Sequence, residues 1–219
     1  MCGRYSFFTP IQNAAKQLNA KIAPLNNWQP NYNAAPTNFM PVITNEFPKV
    51  IQFFRWGLVP QWSKDIKRAA GMINSRYESI IEKPAITNIF KYKRCIVLAD
   101  GYYEWLKINK IERQAYRFYL PNNGLMLFAG LWDVWGNNLQ TFSIITRQAT
   151  PQFSEVHNRM PVLLTHADAQ NWLNNSEPAN NKLPLLNGRN NAIINGCKIS
   201  SLVNSVANNV EAIIEPLNT

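Results

Sequence analysis

Residues 95–108 read C-I-V-L-A-D-G-Y-Y-E-W-L-K-I, a run dense in β-branched and aromatic residues that favours extended backbone. In a strand successive side chains alternate between faces, so Glu104 points away from its neighbours Tyr103 and Trp105. Facing a desolvated pocket, its carboxyl would be pushed up towards the range useful for proton transfer; facing water, it would be an ordinary strand glutamate. Extended character continues on both sides. The segments FMPVIT (39–44), KVIQFFRWG (49–57), AYRFYL (115–120), LMLFAGLWDVW (125–135) and LQTFSIIT (139–146) carry the same composition, with Gly124 and Gly136-Asn137 marking turns. RYSFF (4–8) is a short strand that ties the N-terminus into the fold. Helical spacing is confined to three places. Thr9-Pro10 reads as N-cap and first position of a helix with Ile11, Ala14, Ala15 and Leu18 on one side. Arg76 to Lys83 places Ile80 and Ile81 inward, and Thr165 caps a helix through Trp172. A proline-punctuated loop spans 23–37, and the Asn-rich stretch after Pro178 reads as exposed loop or short helix. The pattern predicts an α+β fold whose long antiparallel strands form packed, barrel-like sheets flanked by short helices.

The chain has 219 residues and 46% hydrophobic content, enough for one substantial core, with no linker-like tract or repeat, so residues 1–219 are expected to form one domain. Lys and Arg outnumber Asp and Glu by 22 to 13, a formal charge of +9 that suits an anionic partner, although the basic residues are scattered. No signal-like segment or membrane-length apolar run occurs, so a cytoplasmic location without membrane association is expected. Three dispersed cysteines, Cys2, Cys95 and Cys197, form neither a disulfide framework nor a metal-ligand pattern. No cofactor and no metal is expected.

Four places carry candidate chemistry. Cys2, once Met1 is removed, would hold a free α-amine and a thiol on adjacent carbons. An α-amine titrates at about 7.7–8.0, against about 10.4 for lysine, so it is the better nucleophile at neutral pH. Attack on an aldehyde gives an imine, and the adjacent thiol can close a five-membered thiazolidine ring at high effective concentration. With Met1 retained, Cys2 is only a small apolar residue at a strand start. In N-S-R-Y-E-S (74–79), just after Gly71, Asn74 offers a donor and an acceptor, Arg76 a fork suited to phosphate, and Glu78 a carboxylate that could orient Arg76. The bland reading is a capped helix start. Glu104 is the third candidate. His157, in E-V-H-N-R-M-P (155–161), lies in a proline-bounded loop where imidazole can act as acid or base, whereas His166 reads as structural. A Cys/His pair also fits a thiol hydrolase.

Read together, M-C-G-R (1–4), Y-N-A-A-P (32–36), W-G-L-V-P-Q-W (56–62), N-S-R-Y-E (74–78), R-C-I-V-L-A-D-G-Y-Y-E-W (94–105) and H-N-R-M-P-V-L-L (157–164) resemble the SRAP family, the SOS response-associated peptidases also called abasic-site processing proteins. V-N-S-V-A-N-N (203–209) is similar to the family's C-terminal segment. The resemblance implies a protein, acting as a monomer on the bacterial nucleoid, that binds single-stranded DNA or single-strand/double-strand junctions. There it would capture abasic sites covalently through Cys2. It implies Asn74, Glu104 and His157 as the further catalytic set. Arg4, Asn33, Pro36, Trp62, Arg76 and Thr146 are implied as DNA-binding positions, with phosphate contacts fixing register and stacking accepting any base. Lyase activity, where an imine forms without ring closure, would accompany it. Two departures stand out. Ala85-Ile86-Thr87 replaces an aromatic and a basic residue, so a DNA contact expected there is either missing or moved to Lys91 or Lys93, and Leu98 stands where proline is frequent. Two other readings compete: a cysteine peptidase, whose minimal act is removal of its own Met1, and a noncatalytic basic nucleic-acid module.

Overall fold

The computed structural model describes residues 2–24, 28–63, 72–187 and 193–217. The strands, in chain order, are Arg4–Phe7 (β1), Lys21–Ile22 (β2), Asn31–Ala34 (β3), Phe39–Thr44 (β4), Val50–Trp56 (β5), Asn74–Arg76 (β6), Arg94–Ala99 (β7), Gly101–Lys107 (β8), Arg113–Tyr119 (β9), Met126–Trp135 (β10), Leu139–Gln148 (β11), Arg159–Pro161 (β12), Leu163–Leu164 (β13) and Asn195–Lys198 (β14). The first sheet runs β14-β9-β8-β1-β3. The second runs β12-β11-β10-β7-β4-β5-β2, with β6 on β11 and β13 on β10. Neighbours in the second sheet are mostly antiparallel, but β5 pairs back in parallel with β11 through Thr141↔Arg55 and Phe142↔Trp56, closing the sheet on itself. The α+β, barrel-like architecture expected from the strand pattern is the one observed.

Local chemistry accounts for the breaks between strands. The run 95–108 is two strands, one in each sheet, because Asp100 ends β7. Its buried carboxylate accepts from Phe8 N (2.5 Å), Thr9 N (2.7 Å) and the Thr9 hydroxyl (2.6 Å), which ties the end of β1 to this corner. Gly101 follows because a Cβ there would lie 2.9 Å from the Phe118 carbonyl oxygen on β9. The β10–β11 hairpin turns through Gly136 (φ 53) and Asn138 (φ 71), left-handed positions that glycine and asparagine adopt most readily.

Thr9 therefore does not cap the first helix; α1 is Ile11–Gln17 with Pro10 at its N-cap, burying Ile11, Ala14 and Ala15. The second helix, Tyr77–Glu82 (α2), is shorter than its spacing suggests, because Arg76 belongs to β6 and Pro84 restarts the chain as Pro84–Tyr92 (α3). Ile80 is buried but Ile81 is 58% exposed, a correction to the inward pair, since one short turn has only one inward face. A short helix, Pro151–Ser154 (α4), precedes the 155–161 loop. Thr165 caps the expected helix, and does so through a full capping box: Asp168 N donates to the Thr165 hydroxyl at 3.0 Å, and His166–Leu173 (α5) follows. The 23–37 loop contains β3, and the Asn-rich stretch forms a 3₁₀ turn and one short helix, Leu183–Leu186 (α6). Gly71 lies outside the described residues.

The two sheets enclose one aromatic core. Tyr5 meets Trp56 edge-on at 5.0 Å, Trp56 stacks with Phe142 at 6.4 Å, and Tyr5 and Tyr102 both meet Phe128 at 6.2 Å. Each such buried ring contributes roughly 2–3 kcal/mol through area removed from water. Trp56 also donates its indole N–H to Ile73 O at 2.9 Å, fixing the backbone one residue before Asn74. No helix among the described residues is long and apolar enough to cross a membrane.

Candidate active site

Cys2 is fully buried at the entrance to β1, and its thiol lies 3.8 Å from Arg4 O. Burial, reinforced by the charge of Glu104, pushes the thiol well above its ordinary range, so it is a neutral S–H at physiological pH. The Asn74 amide donates to Cys2 O at 2.8 Å. β6 supplies that amide because it lies parallel to β11 (Ile144↔Asn74), next to the Trp56 anchor. Asn74 Oδ1 is buried with no hydrogen-bond partner among the described residues. It is a buried acceptor on the side chain that holds Cys2.

Glu104 shares the inward face of β8 with Tyr102 and is 3% exposed. Burial pushes its carboxyl up to about 7. The strand run carried this feature as a conditional, and the inward orientation decides it. His157 Nδ1 lies 4.0 Å from Glu104 Oε1, an ion-pair distance only when the ring is protonated. Its ordinary state is neutral, because burial lowers its pKa. Arg159 N donates to Nδ1 at 3.0 Å, so the ring proton belongs on Nε2. The loop holds this geometry through His157 N on Phe153 O at 3.2 Å, back in α4. Cys2, Asn74, Glu104 and His157, far apart in sequence, thus gather around one point between the sheets.

Beside them lies a charged cluster. Arg159 on β12 makes a two-pronged pair with Glu78 (Nη1–Oε1 2.7 Å, Nη2–Oε2 3.0 Å) and donates from Nη2 to Thr146 O at 2.6 Å. Glu78 therefore orients Arg159 rather than Arg76; the exposed Arg76 backbone pairs with the buried Thr146 on β11. Arg159 escaped the sequence reading although it stands in the H-N-R-M-P motif. Its signal was an arginine two residues from the loop histidine, a spacing that folds it back onto the same site.

The other predicted positions are placed differently. Arg4 pairs with Tyr103 across β1–β8, so both occupy the sheet face opposite Tyr102 and Glu104. The Arg4 guanidinium donates to Asn33 Oδ1 (2.6 Å), Val203 O (2.7 Å) and Asn204 O (3.3 Å). Asn33 Nδ2 donates to Val203 O, Ser205 O and Asn208 O at 2.9–3.2 Å. These two side chains strap the C-terminal segment onto the first sheet. Pro36 is half-buried, next to Thr37, whose N–H donates to Trp56 O at 2.9 Å. Trp62 is 69% exposed and, with Ala85, Asn88, Tyr92 and Lys93, lines a cleft of 440 Å³. Of the departure at residues 85–87 only Ala85 lines the cleft with Trp62, and Lys93 stands in the same cleft. Larger clefts of 580 and 700 Å³ meet at Asn45 and Asn175; the first is lined by Lys91, and neither contains Cys2, Asn74, Glu104 or His157. No three of His, Cys, Asp and Glu cluster in a way that could hold a metal ion among the described residues.

Comparison with known proteins identifies the family. Residues 1–206 match the family model described as SOS response associated peptidase (SRAP). The chain is 36% identical over 223 residues to the abasic site processing protein YoqW of Bacillus subtilis, covering 98% of this chain and 99% of that protein. It is 30% identical to the abasic site processing protein HMCES of Xenopus tropicalis, covering 90% of this chain and 69% of the relative. A crystal structure of a Bacteroides thetaiotaomicron protein superposes with a TM-score of 0.88 over 99% of this chain and 100% of that one, at 24% identity, and shares the fold.

Proposed function

The chain belongs to the SRAP family, and from that premise we propose that it acts on DNA containing abasic sites, capturing the lesion covalently through Cys2 after Met1 is removed. The observation that carries the reading is the convergence of Cys2, Asn74, Glu104 and His157 on one enclosed point, with a carboxyl pushed up to about 7.

The ring-opened abasic sugar presents an aldehyde. The Cys2 α-amine adds to its carbon, forming a C–N bond and a carbinolamine; loss of water gives the imine. Protonated Glu104 supplies the proton that lets hydroxide leave as water. The Cys2 thiol then adds to the imine carbon, forming the C–S bond, and its proton ends on the ring nitrogen. The net change is aldehyde plus aminothiol to thiazolidine plus one water. A neutral buried thiol suits this order, because it does not compete with the amine for the aldehyde. Asn74, holding Cys2 O with its amide, presents Oδ1 to the amine or to a sugar hydroxyl. His157, neutral with its proton on Nε2, assists proton movement at sugar opening and reversal.

Single-stranded or junction DNA fits the surroundings. Arg76 is exposed beside the buried Thr146, and the exposed Trp62 beside Lys93 offers a stacking surface with a cation near it, where a duplex could end. Arg4 and Asn33 serve by holding the C-terminal segment on the first sheet. The whole chain acts as one unit, a monomer in the bacterial cytoplasm. The test is to incubate mature protein, its N-terminus checked by mass, with single-stranded DNA carrying one abasic site. A denaturation-resistant complex is expected from the wild type. Cys2→Ala should give none, and Cys2→Ser only an imine trapped by borohydride. An undiminished, unreduced crosslink from Cys2→Ser would overturn the mechanism, and a wild type that forms none while cleaving peptides would favour the peptidase reading.

A further inference from the structure

One feature beside the site has no part in the covalent chemistry: the pair formed by Glu78 and Arg159. The Glu78 side chain is 47% exposed and Arg159 only 12%. The carboxylate meets the guanidinium edge with both oxygens, at 2.7 and 3.0 Å, the arrangement in which an arginine fork also receives two oxygens of a phosphodiester. Arg159 holds it, before other influences, below the usual carboxylate range, and Arg76 lowers it further, so Glu78 is ionised at neutral pH between two cations. Arg159 itself is held from behind: Nη2 on Thr146 O at 2.6 Å and the backbone N on His157 Nδ1 at 3.0 Å. Its Nε is buried and has no partner among the described residues. The guanidinium is thus fixed by the protein on one side and covered by a displaceable carboxylate on the other. With its carboxylate half exposed, an ion pair of this kind is worth on the order of 1 kcal/mol, little enough for an arriving phosphate to replace it.

We propose that Glu78 is a guard, an internal phosphate mimic that occupies Arg159 until a DNA phosphate displaces it. The inference rests on the reading that the chain binds DNA strands. Its consequence is a uniform penalty on noncovalent binding to any strand, which shortens residence on intact DNA and leaves retention to covalent capture.

The experiment measures binding of the wild type, Glu78→Gln and Glu78→Ala to a fluorescent intact single-stranded oligonucleotide across a salt series, with melting temperature confirming that each variant is folded. Both variants should bind about two- to fivefold more tightly at low salt, a gain set by the strength of an exposed pair. Their affinity should fall more steeply with salt, by up to about one in the log–log slope. Unchanged or weaker binding in both folded variants overturns the guard, since a carboxylate that merely positions Arg159 would lose affinity when removed. Wild-type protein that binds neither intact nor abasic strands would instead overturn the DNA reading itself, a result separable from the first.

Discussion

Two places in the molecule use arginine and asparagine and are finished differently: Arg4 bonded to Asn33 on the first sheet, and Arg159 and Asn74, on separate strands that both pair with β11. Asn33 is 2% exposed and saturated: its amide reaches three backbone carbonyls of the C-terminal segment and its oxygen accepts from Arg4. Among the described residues the Asn74 side chain makes one hydrogen bond, to Cys2 O, and leaves a buried oxygen without a partner, as Arg159 leaves its Nε. A saturated polar network lowers the energy of one arrangement and resists change. An incomplete one leaves groups whose missing partners a ligand can supply. The contrast separates a structural strap from a receptive site where residue type alone does not.

The sharpest way to break that contrast is to truncate both asparagines. Asn33→Ala removes the donor for three carbonyls and the acceptor for Arg4, so denaturant unfolding should show a loss of about 2–3 kcal/mol. Asn74→Ala should cost stability under about 1 kcal/mol, yet slow crosslinking at least tenfold in single-turnover assays, because the amine or sugar loses its positioned partner. Similar behaviour of the two variants would erase the distinction between strap and site.

Glu104 gives the next largest effect and is read through pH. Its folded-state pKa is raised from the ordinary 4.5 to about 7 by burial, so the fold favours the protonated form. Its contribution to stability is present in full below about 4.5 and is lost as pH rises through 7, on the order of 3 kcal/mol by pH 8. Glu104→Gln should remove that loss, melting higher than wild type at pH 8 with no such gain at pH 4. Crosslinking by the wild type should rise as the Cys2 amine deprotonates towards about 8 and fall as Glu104 loses its proton above about 7, giving a bell. The Gln variant should be slower throughout and lack the descending limb.

The smallest expected change is at the rim. Arg76→Ala removes an exposed guanidinium from the charged cluster, so melting should be unaltered while DNA affinity falls a few-fold and the salt slope flattens by about one. Unchanged affinity would take Arg76 out of the binding surface.

Much of this was legible in the chain itself. The strands over 39–44 and 139–146 follow from β-branched and aromatic runs between turn residues, and the helix after Thr165 follows from its N-cap. Failures of the local reading share one cause. Thr9 gave its hydroxyl to Asp100 instead of a helix end, Glu78 chose Arg159 over Arg76, and Asp100 split a continuous apolar run between two sheets. In each case a partner distant in sequence offered a better-buried or better-aligned bond than the local one.

What the sequence by itself determined is the inventory: a cysteine at position 2, an acid among aromatics, one loop histidine, an excess of cations and enough strand-forming segments to build closed sheets. Only the tertiary structure decided which of these meet, that Glu104 faces inward and titrates near 7, and that Arg4 and Asn33 are used up while Arg159 and Asn74 are not. The reason is physical. Backbone preference is set by neighbours along the chain, whereas desolvation and hydrogen-bond saturation are set by whatever the folded chain brings within a few ångströms.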